Sequence, residues 1–431
     1  MALRRRVLEL GALHRLSSLL VQTEDVNRLL NVALDLAIEV LGVDAGSIAV
    51  IEEDRDELVV MGSRNLSETW VVQSALLSHG GALRKNALAG EIVWVNDLAE
   101  DERTINPEGA REEKLCSLLS TGLMDQGRPI GLIRLYTRSP REFTPAEHGL
   151  LRSIADQSAA AVMNARLKKL REENERVARQ VSLAADVQRR MLPRSMPESM
   201  VFDIAARYIP SFELGGDFYD FIPLGGHLGI AVGDVVGKGV AAALLMSAVR
   251  ASLRAHAQDL YDLDEVCSRV NAALAADTRD YEFATLWYAV IDPVTLRLTY
   301  CNAGHNPSMH FRVRKDRPVG EQDIAELAEG GMALGIDKLH RYDRGTAYLA
   351  PGDVLFAYTD GLTDAMDFSG QRFGKARLRA TLLEAMNAQR NGGAEVTAAS
   401  IIERVFWHLR QFCGLAPRSD DISVVVMRVR G

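Results

Sequence analysis

From residue 26 the apolar positions Leu29, Val32, Leu36, Ile38 and Val40 keep close to a 3.6-residue period, and the spacing predicts a helix over Val26–Leu41. The period then drops to two. Ala45–Ile51 and Leu58–Val60 read as paired strands about the polar turn Glu52–Arg55, with Glu91–Val95 and Pro129–Tyr136 as further strands. Asp97–Glu113 is polar and reads as a loop. At Thr144 the helical period returns with a start signal: Thr144 as N-cap, Pro145 at the first position and Glu147 closing a capping box.

This second long helix is expected to run on beyond the first domain. Met163, Leu170, Val177, Ala184 and Met191 recur every seven residues, with Leu167, Val181 and Val187 beside them, while Arg166–Arg179 is dense in charges of both signs. That pattern predicts a connector helix pairing with a second copy in a short coiled coil; the alternative is one amphipathic helix lying on its own domain. Pro193 and Pro197 end it. From Val201 onward strands and helices alternate. Leu228–Gly233, Ala284–Ile291, Arg297–Cys301, Pro307–Val313, Asp353–Tyr358 and Ile422–Arg430 are strand-like. Val240–Gln258, Leu263–Ala276, Gly374–Asn387 and Ala398–Cys413 are helical, and Lys315–Glu329 reads as a charged surface loop.

A chain of 431 residues exceeds one ordinary core. The pattern divides it into a domain over residues 8–165, a connector over 166–195 and a second domain over 196–431. With 47% hydrophobic and 25% charged residues it reads as soluble and globular, and a net charge of -8 argues against a nucleic-acid partner. No apolar run is long enough to span a bilayer. Val7–Leu20, broken by Glu9, His14 and Arg15, reads as an amphipathic helix rather than a signal peptide. Four scattered cysteines without a Cys-x-x-Cys pair imply neither a disulfide framework nor a zinc site, and a reducing cytoplasm is the simplest setting.

The candidate chemistry lies in four acidic motifs: Gly-Gly-Asp-Phe-Tyr-Asp (Gly215–Asp220), Gly-Asp-Val-Val-Gly-Lys-Gly (Gly233–Gly239), Tyr-Thr-Asp-Gly (Tyr358–Gly361) and Ser-Asp-Asp-Ile-Ser (Ser419–Ser423). Each sets an Asp beside Gly, Ser or a second Asp at what reads as a strand end. Ile230, Val232 and Asp234 share one parity; Val354, Phe356, Tyr358 and Asp360 repeat the arrangement. Asp217 follows two glycines, and Asp420 and Asp421 precede the last strand. Singly, each motif reads more readily as a turn. Gathered by a fold, the carboxylates could not all stay ionised without cations, and an all-oxygen set selects magnesium or manganese. Gly237 and Gly239 permit close backbone approach, Lys238 adds a positive charge, and the following helix N-terminus favours an anion, so this turn is a candidate phosphate contact. It is not a P-loop: the spacing fails, and Gly239 follows Lys238 where Ser or Thr would stand.

Taken in order, Asp186–Pro193 (Asp-Val-Gln-Arg-Arg-Met-Leu-Pro), Gly215–Asp220, Gly233–Gly239, Phe283–Leu286, Asn302–Pro307, Tyr358–Gly361 and Asp420-Asp421 resemble the SpoIIE-like, RsbU-like bacterial branch of the PPM metal-dependent protein serine/threonine phosphatases. The resemblance covers nearly the whole C-terminal half. It implies an α+β architecture: two antiparallel sheets flanked by helices, an α-β-β-α sandwich with a two-metal centre at one end. It assigns Asp217, Asp234, Asp360 and Asp420 as metal-binding carboxylates and the Val235 carbonyl as a further ligand, with Asp421 replacing or assisting Asp420. Two cations, Mn2+ or Mg2+, would then activate a water for in-line attack on phosphoserine or phosphothreonine without a phosphoenzyme. His305 stands either as an acid or phosphate contact, or as a brace of its own loop.

Upstream, Ala45–Ile48, Gly90–Asp97, Gly127–Ile133 and Phe143–Pro145 resemble a GAF domain, an antiparallel sheet with helices, which implies a small-molecule sensor or dimerising module. Cys116 reads as a buried structural thiol, with a chromophore or redox thiol as the alternative, and Trp70 and Trp94 read as core, with a pocket lining as the alternative. The combined expectation is a dimeric, cytoplasmic signalling phosphatase gated by its GAF domain, acting on a regulatory phosphoprotein of the anti-sigma-factor antagonist type. The alternative is a non-catalytic module that binds metal and sequesters a partner.

Overall fold

The computed structural model describes residues 25–52, 57–76, 81–279, 281–314, 316–388 and 396–431. The expected helix over 7–20 and most of the turn over 52–55 lie outside them. The chain divides into a first unit ending at Arg176 and a second from Val177 to Gly431, the division falling inside one helix.

The helices of the first unit are α1 (Val26–Leu41), α2 (Glu68–Leu76), α3 (Ala82–Leu88), α4 (Pro107–Glu112) and the start of α5 (Pro145–Met191). The Asp25 carboxylate caps α1 by accepting from the Asn27 and Arg28 amides. At α5 the capping box forms as its sequence requires, with the Thr144 amide donating to Glu147 Oε2 at 2.8 Å. Strands β1 (Ala45–Glu52), β2 (Glu57–Arg64), β3 (Val93–Val95), β4 (Ser117–Asp125) and β5 (Arg128–Thr137) make one antiparallel sheet in the order β2-β1-β5-β4-β3. One face packs on α1 and the first turns of α5 through Leu34, Ile48, Ile133, Leu151 and Ile154. The short helices α2–α4 contribute Trp70, Leu83 and Ala110 to the other face.

One reading of this unit is corrected, and one strand is added. Asp97–Glu113 is not all loop: Pro107–Glu112 is helical, with Pro at its first position and Asn106 Oδ1 accepting from the Gly109 amide at 2.9 Å. β4 gave no alternating signal because both of its faces are buried from Ser117 to Leu123.

In the second unit, two sheets pack face to face between two helical layers. Its strands are β6 (Phe202–Ile209), β7 (Phe218–Leu224), β8 (His227–Val235), β9 (Ala284–Ile291), β10 (Arg297–Ala303), β11 (Ser308–Phe311), β12 (Ile324–Leu327), β13 (Gly330–Gly331), β14 (Gly345–Tyr348), β15 (Val354–Tyr358) and β16 (Ile422–Val429). Its helices are α6 (Gly239–Asp259), α7 (Leu263–Asp277), α8 (Gly361–Asp364), α9 (Gly374–Asn387) and α10 (Ala398–Cys413). One sheet runs β13-β10-β9-β8-β7 with β14 beside β10; the other runs β12-β11-β15-β16-β6. Val232, Trp287, Tyr300, Leu355, Val425 and Met427 fill the space between them. The outer face of the first sheet is closed by α6 and α7 (Met246, Val249, Val266, Val270), that of the second by α9 and α10 (Leu378, Leu382, Ile401, Val405). The expected loop Lys315–Glu329 in fact holds the short turn Glu321–Asp323 and strand β12, hydrogen-bonded to β11.

Candidate metal centre

Three of the acidic motifs meet where β7, β8 and β15 end or begin, and the fourth arrives just before β16. Along β8 the inward parity carries Ile230 and Val232 into the inter-sheet core, and Asp234 continues it at the strand's end. Phe218 pairs with Gly233 across the β7–β8 hairpin. Asp217, one residue before β7, therefore stands opposite Asp234. Asp217 is 2% exposed, and Thr359, next after β15, donates to its Oδ2 at 2.5 Å.

Asp360 reaches the cluster by another route than parity predicts. Val354, Phe356 and Tyr358 face outward, under α9 and α10. After Tyr358 the strand ends and Asp360 takes helical angles (φ -65°, ψ -24°) as the residue preceding α8, so the turn, not the strand, aims it. Asp420 lies half-buried in the loop before β16; its Oδ1 accepts from the Asp421 amide at 3.0 Å, and its Oδ2 is 3.5 Å from Lys238 Nζ.

Burial and mutual repulsion decide the charge state. Burial, with Asp234 next to it, pushes the Asp217 carboxyl well above the carboxylate range. Asp234 is pushed up to about 7 by burial and by Asp360, and Asp360 is raised by burial and by Asp420. Asp217 and Asp234 are within hydrogen-bond reach of each other, an arrangement that one shared proton satisfies. Cations would relieve the same strain.

The loop carrying Asp217 is held by groups that spacing alone did not reveal. Asp421 is 5% exposed and engaged on both oxygens: Oδ1 accepts from the Ser211 amide (2.7 Å) and hydroxyl (2.9 Å), Oδ2 from the Gly216 amide (2.9 Å). A Cβ on Gly215 would lie 2.1 Å from Asp421 Oδ2, and one on Gly216 only 2.6 Å from the Val235 carbonyl oxygen, so both glycines are set by close approach. Gln188, near the end of α5 and 6% exposed, grips Gly215 from the other side. Its Nε2 donates to the Gly215 carbonyl (2.6 Å) and its Oε1 accepts from the Gly215 amide (3.2 Å). The Tyr208 hydroxyl, between Asp421 and Asp217, is buried and has no hydrogen-bond partner among the described residues.

The remaining candidates separate. Gly237 (φ 98°) and Gly239 (φ 72°) form the left-handed turn into α6 with open space around them. Lys238 precedes the helix; its Nζ bonds the Ser419 carbonyl and lies 6.0 Å from the Phe212 ring. His305 is engaged at both ring nitrogens. It is 6% exposed, with Nε2 3.1 Å from the Tyr358 carbonyl and Nδ1 2.7 Å from Thr285 Oγ1. A carbonyl only accepts, so Nε2 carries the proton and the Thr285 hydroxyl donates to Nδ1. Burial pushes its imidazolium down to about 4.

Residues Asp217, Asp234, Asp360 and Asp420 offer hard oxygen donors, with the Val235 carbonyl facing the same loop, and two of the carboxylates repel each other in a buried site. Among the described residues no group of three or more His, Cys, Asp or Glu side chains closes around one point. An all-oxygen donor set of this kind suits a hard divalent cation such as magnesium or manganese.

The first unit holds a separate cavity of about 110 Å3, lined by Trp70, Leu83, Arg84, Leu118, Arg134 and Tyr136. Trp70 thus borders a cavity as well as packing edge-on against Tyr136, and Trp94, read as core, is 41% exposed. Cys116 is only partly buried.

Comparison with known proteins places these features in families. Residues 224–430 match the model of stage II sporulation protein E (SpoIIE), and residues 23–163 that of the GAF domain. Phosphoserine phosphatase RsbU of Bacillus subtilis is 26% identical over 201 residues, 47% of this chain and 58% of that protein. Protein IcfG of Synechocystis is 31% identical over 231 residues, 47% of this chain and 35% of that protein, so the chain spans little more than half of one and about a third of the other. Among solved structures, the SiaA-PP2C domain of Pseudomonas aeruginosa aligns with 60% of this chain and 98% of its own at TM-score 0.49 and 20% identity. The chain thus joins a GAF domain to a domain of the SpoIIE family.

Proposed function

We propose that this chain is a metal-dependent protein serine/threonine phosphatase of bacterial signalling. The observation that carries the reading is the mutually repelling pair of buried Asp217 and partly buried Asp234, adjoined by Asp360 and Asp420. It is supported by the SpoIIE match and by the name of the relative RsbU, a phosphoserine phosphatase.

In this reading Asp217, Asp234, Asp360, Asp420 and the Val235 carbonyl hold two divalent cations, Mn2+ or Mg2+. When bound, these would supply the Lewis acidity and positive charge that hydrolysis of a phosphomonoester by water requires. Asp420 is the ligand of its pair, being half-buried and turned to Lys238, whereas both oxygens of Asp421 are committed to Ser211 and Gly216. Asp421 and Gln188 act by fixing the backbone around Gly215–Gly216, and thereby Asp217. Thr359 orients the Asp217 carboxylate. Lys238 ties the turn before α6 to the loop bearing Asp420, with the Gly237–Gly239 turn left open as a phosphate approach. His305, neutral and bonded at both ring nitrogens, takes no part in proton transfer.

The substrate is phosphoserine or phosphothreonine on a regulatory protein of the anti-sigma-factor antagonist type. The GAF domain is the input, and the connector is its route. Leu170 and Val177 of α5 are 55% and 54% exposed in the single chain, which supports pairing with a second copy. The grip of Gln188 on Gly215 then gives any movement of the end of α5 a direct effect on Asp217. The test is hydrolysis of an aryl phosphate in Mn2+ by the full chain and by Asp234→Asn. Hydrolysis by the first and not the second supports the reading; none by either, with Mn2+ still bound, points to a partner-sequestering module.

A further inference from the structure

Beside Asp420 the surface opens into a groove of about 290 Å3 that the chemistry above does not use. Phe406 and Leu409 of α10, Leu415 and Pro417 of the loop after it, Met366 and Ile209 give it an apolar floor. Three guanidiniums, those of Arg207, Arg410 and Arg418, stand around that floor. Asp420 and Gly361 form its inner end, so the groove runs outward from the acidic cluster itself. Leu415 is 91% exposed and Met366 37%, an apolar cost for a surface that stays empty. Arg207 is turned to Glu403 at 2.9 Å and over the Phe406 ring at 4.7 Å, while Arg410 and Arg418 face solvent.

Charge makes the location informative. The chain carries 58 acidic and 50 basic residues, so its overall field repels an anionic protein. Three arginines, of which Arg207 is already paired with Glu403, on an apolar floor at the mouth of an acidic cluster run against that balance. They would offset the repulsion where a phosphorylated segment must enter. A phosphate attacked beside Asp420 leaves the flanking residues of its chain to extend along the surface. Those entering this groove meet apolar side chains below and guanidiniums at the sides, a pairing that fits apolar residues next to Asp or Glu and disfavours Lys or Arg.

We propose that this groove is a docking site for the substrate segment flanking the phosphorylated residue, selecting acidic and apolar side chains. The proposal rests on the phosphatase reading and names the substrate's local chemistry. The test uses the full chain in Mn2+ with three probes: an aryl phosphate, a phosphoserine peptide flanked by Leu and Glu, and one flanked by Ser and Lys. The wild type is expected to favour the acidic peptide over the basic one by about tenfold in kcat/KM, mostly through KM. In the double variant Arg410→Glu/Arg418→Glu this preference should vanish or invert, and Arg410→Lys/Arg418→Lys should restore most of it. Because a charge reversal can also disturb folding, the wild type is measured separately from about 0.05 to 0.5 M salt, where the preference should shrink as screening grows. An acidic-to-basic ratio near one in wild type, or one unmoved by both the charge reversal and salt, overturns the docking site while aryl phosphate hydrolysis leaves the phosphatase reading standing. No hydrolysis of any probe by the wild type overturns both.

Discussion

Asp217 and Asp220 belong to one hexapeptide, and both are buried, 2% and 0% exposed. Asp220 points under α6, where Arg254 Nε lies 2.6 Å and Arg250 Nε 3.0 Å from its Oδ2. Asp217 points between the sheets toward Asp234, with one hydroxyl for support. Two Asp residues from one motif, on opposite faces of one sheet, thus meet opposite neighbours. The arginines make Asp220 part of the fold; carboxylates place Asp217 in a site whose repulsion a shared proton or a cation relieves. Burial alone says nothing about function, and the sign of the neighbours decides.

The sharpest way to break this contrast is to neutralise one member of each group. Asp234→Asn should lower Mn2+-dependent hydrolysis by about a thousandfold or more while the metal-free chain stays folded, as the loss of a metal ligand requires. Steady-state rates with circular dichroism check it. Asp220→Asn should do the reverse: it strands two guanidiniums and should cost about 3 kcal/mol of stability, read by urea unfolding, with residual activity in whatever fraction remains folded.

Gln188→Ala tests whether the loop before Asp217 must be held. It leaves a buried amide and carbonyl of Gly215 unsatisfied, at a cost of about 1–3 kcal/mol each, and should raise the Mn2+ concentration for half-maximal activity about tenfold. An unchanged metal requirement would detach α5 from the site.

A gentler effect comes from pH. In the folded, metal-free chain Asp234 is raised to about 7, and Asp217 and Asp360 are raised too, whereas unfolded carboxyls release protons near pH 4. The folded state therefore binds more protons than the unfolded one between those values. The associated stability is full below about pH 4 and is lost as pH rises through 7. Melting temperature in EDTA should thus fall from about pH 5 to 8, and Asp234→Asn should flatten the fall. The smallest change belongs to His305→Gln, which should shift stability but not the pH profile of kcat, since the neutral imidazole only braces Thr285 and Tyr358.

How legible all this was depended on how local the cause is. The limits of α1 and the start of α5 follow from caps within a few residues, Asp25 and the Thr144–Glu147 box, and both were readable. β4 was not, because a strand buried on both faces loses the alternation that marks it. Among the candidate ligands, Asp234 was readable by strand parity. Asp360 was picked out for a wrong reason, since the chain leaves the strand before it and a turn sets its direction. Neighbouring Asp420 and Asp421 could not be told apart in sequence; contacts 205 and 210 residues away separate them. Gln188 fell inside a quoted motif but without a role, and Tyr208 gave no signal, since their roles arise only when β6, β16 and the end of α5 meet the Gly215 loop.

The central claim, that the repelling carboxylates are a cation site, is tested most directly by isothermal titration of the metal-free full chain with Mn2+ near pH 6.5 in two buffers of different ionisation enthalpy. The account predicts binding of two Mn2+ per chain with net release of protons as Asp217 and Asp234 give up theirs, and loss of at least one bound ion in Asp217→Asn. Absence of Mn2+ binding, or binding without proton release that Asp217→Asn leaves unchanged, would contradict it.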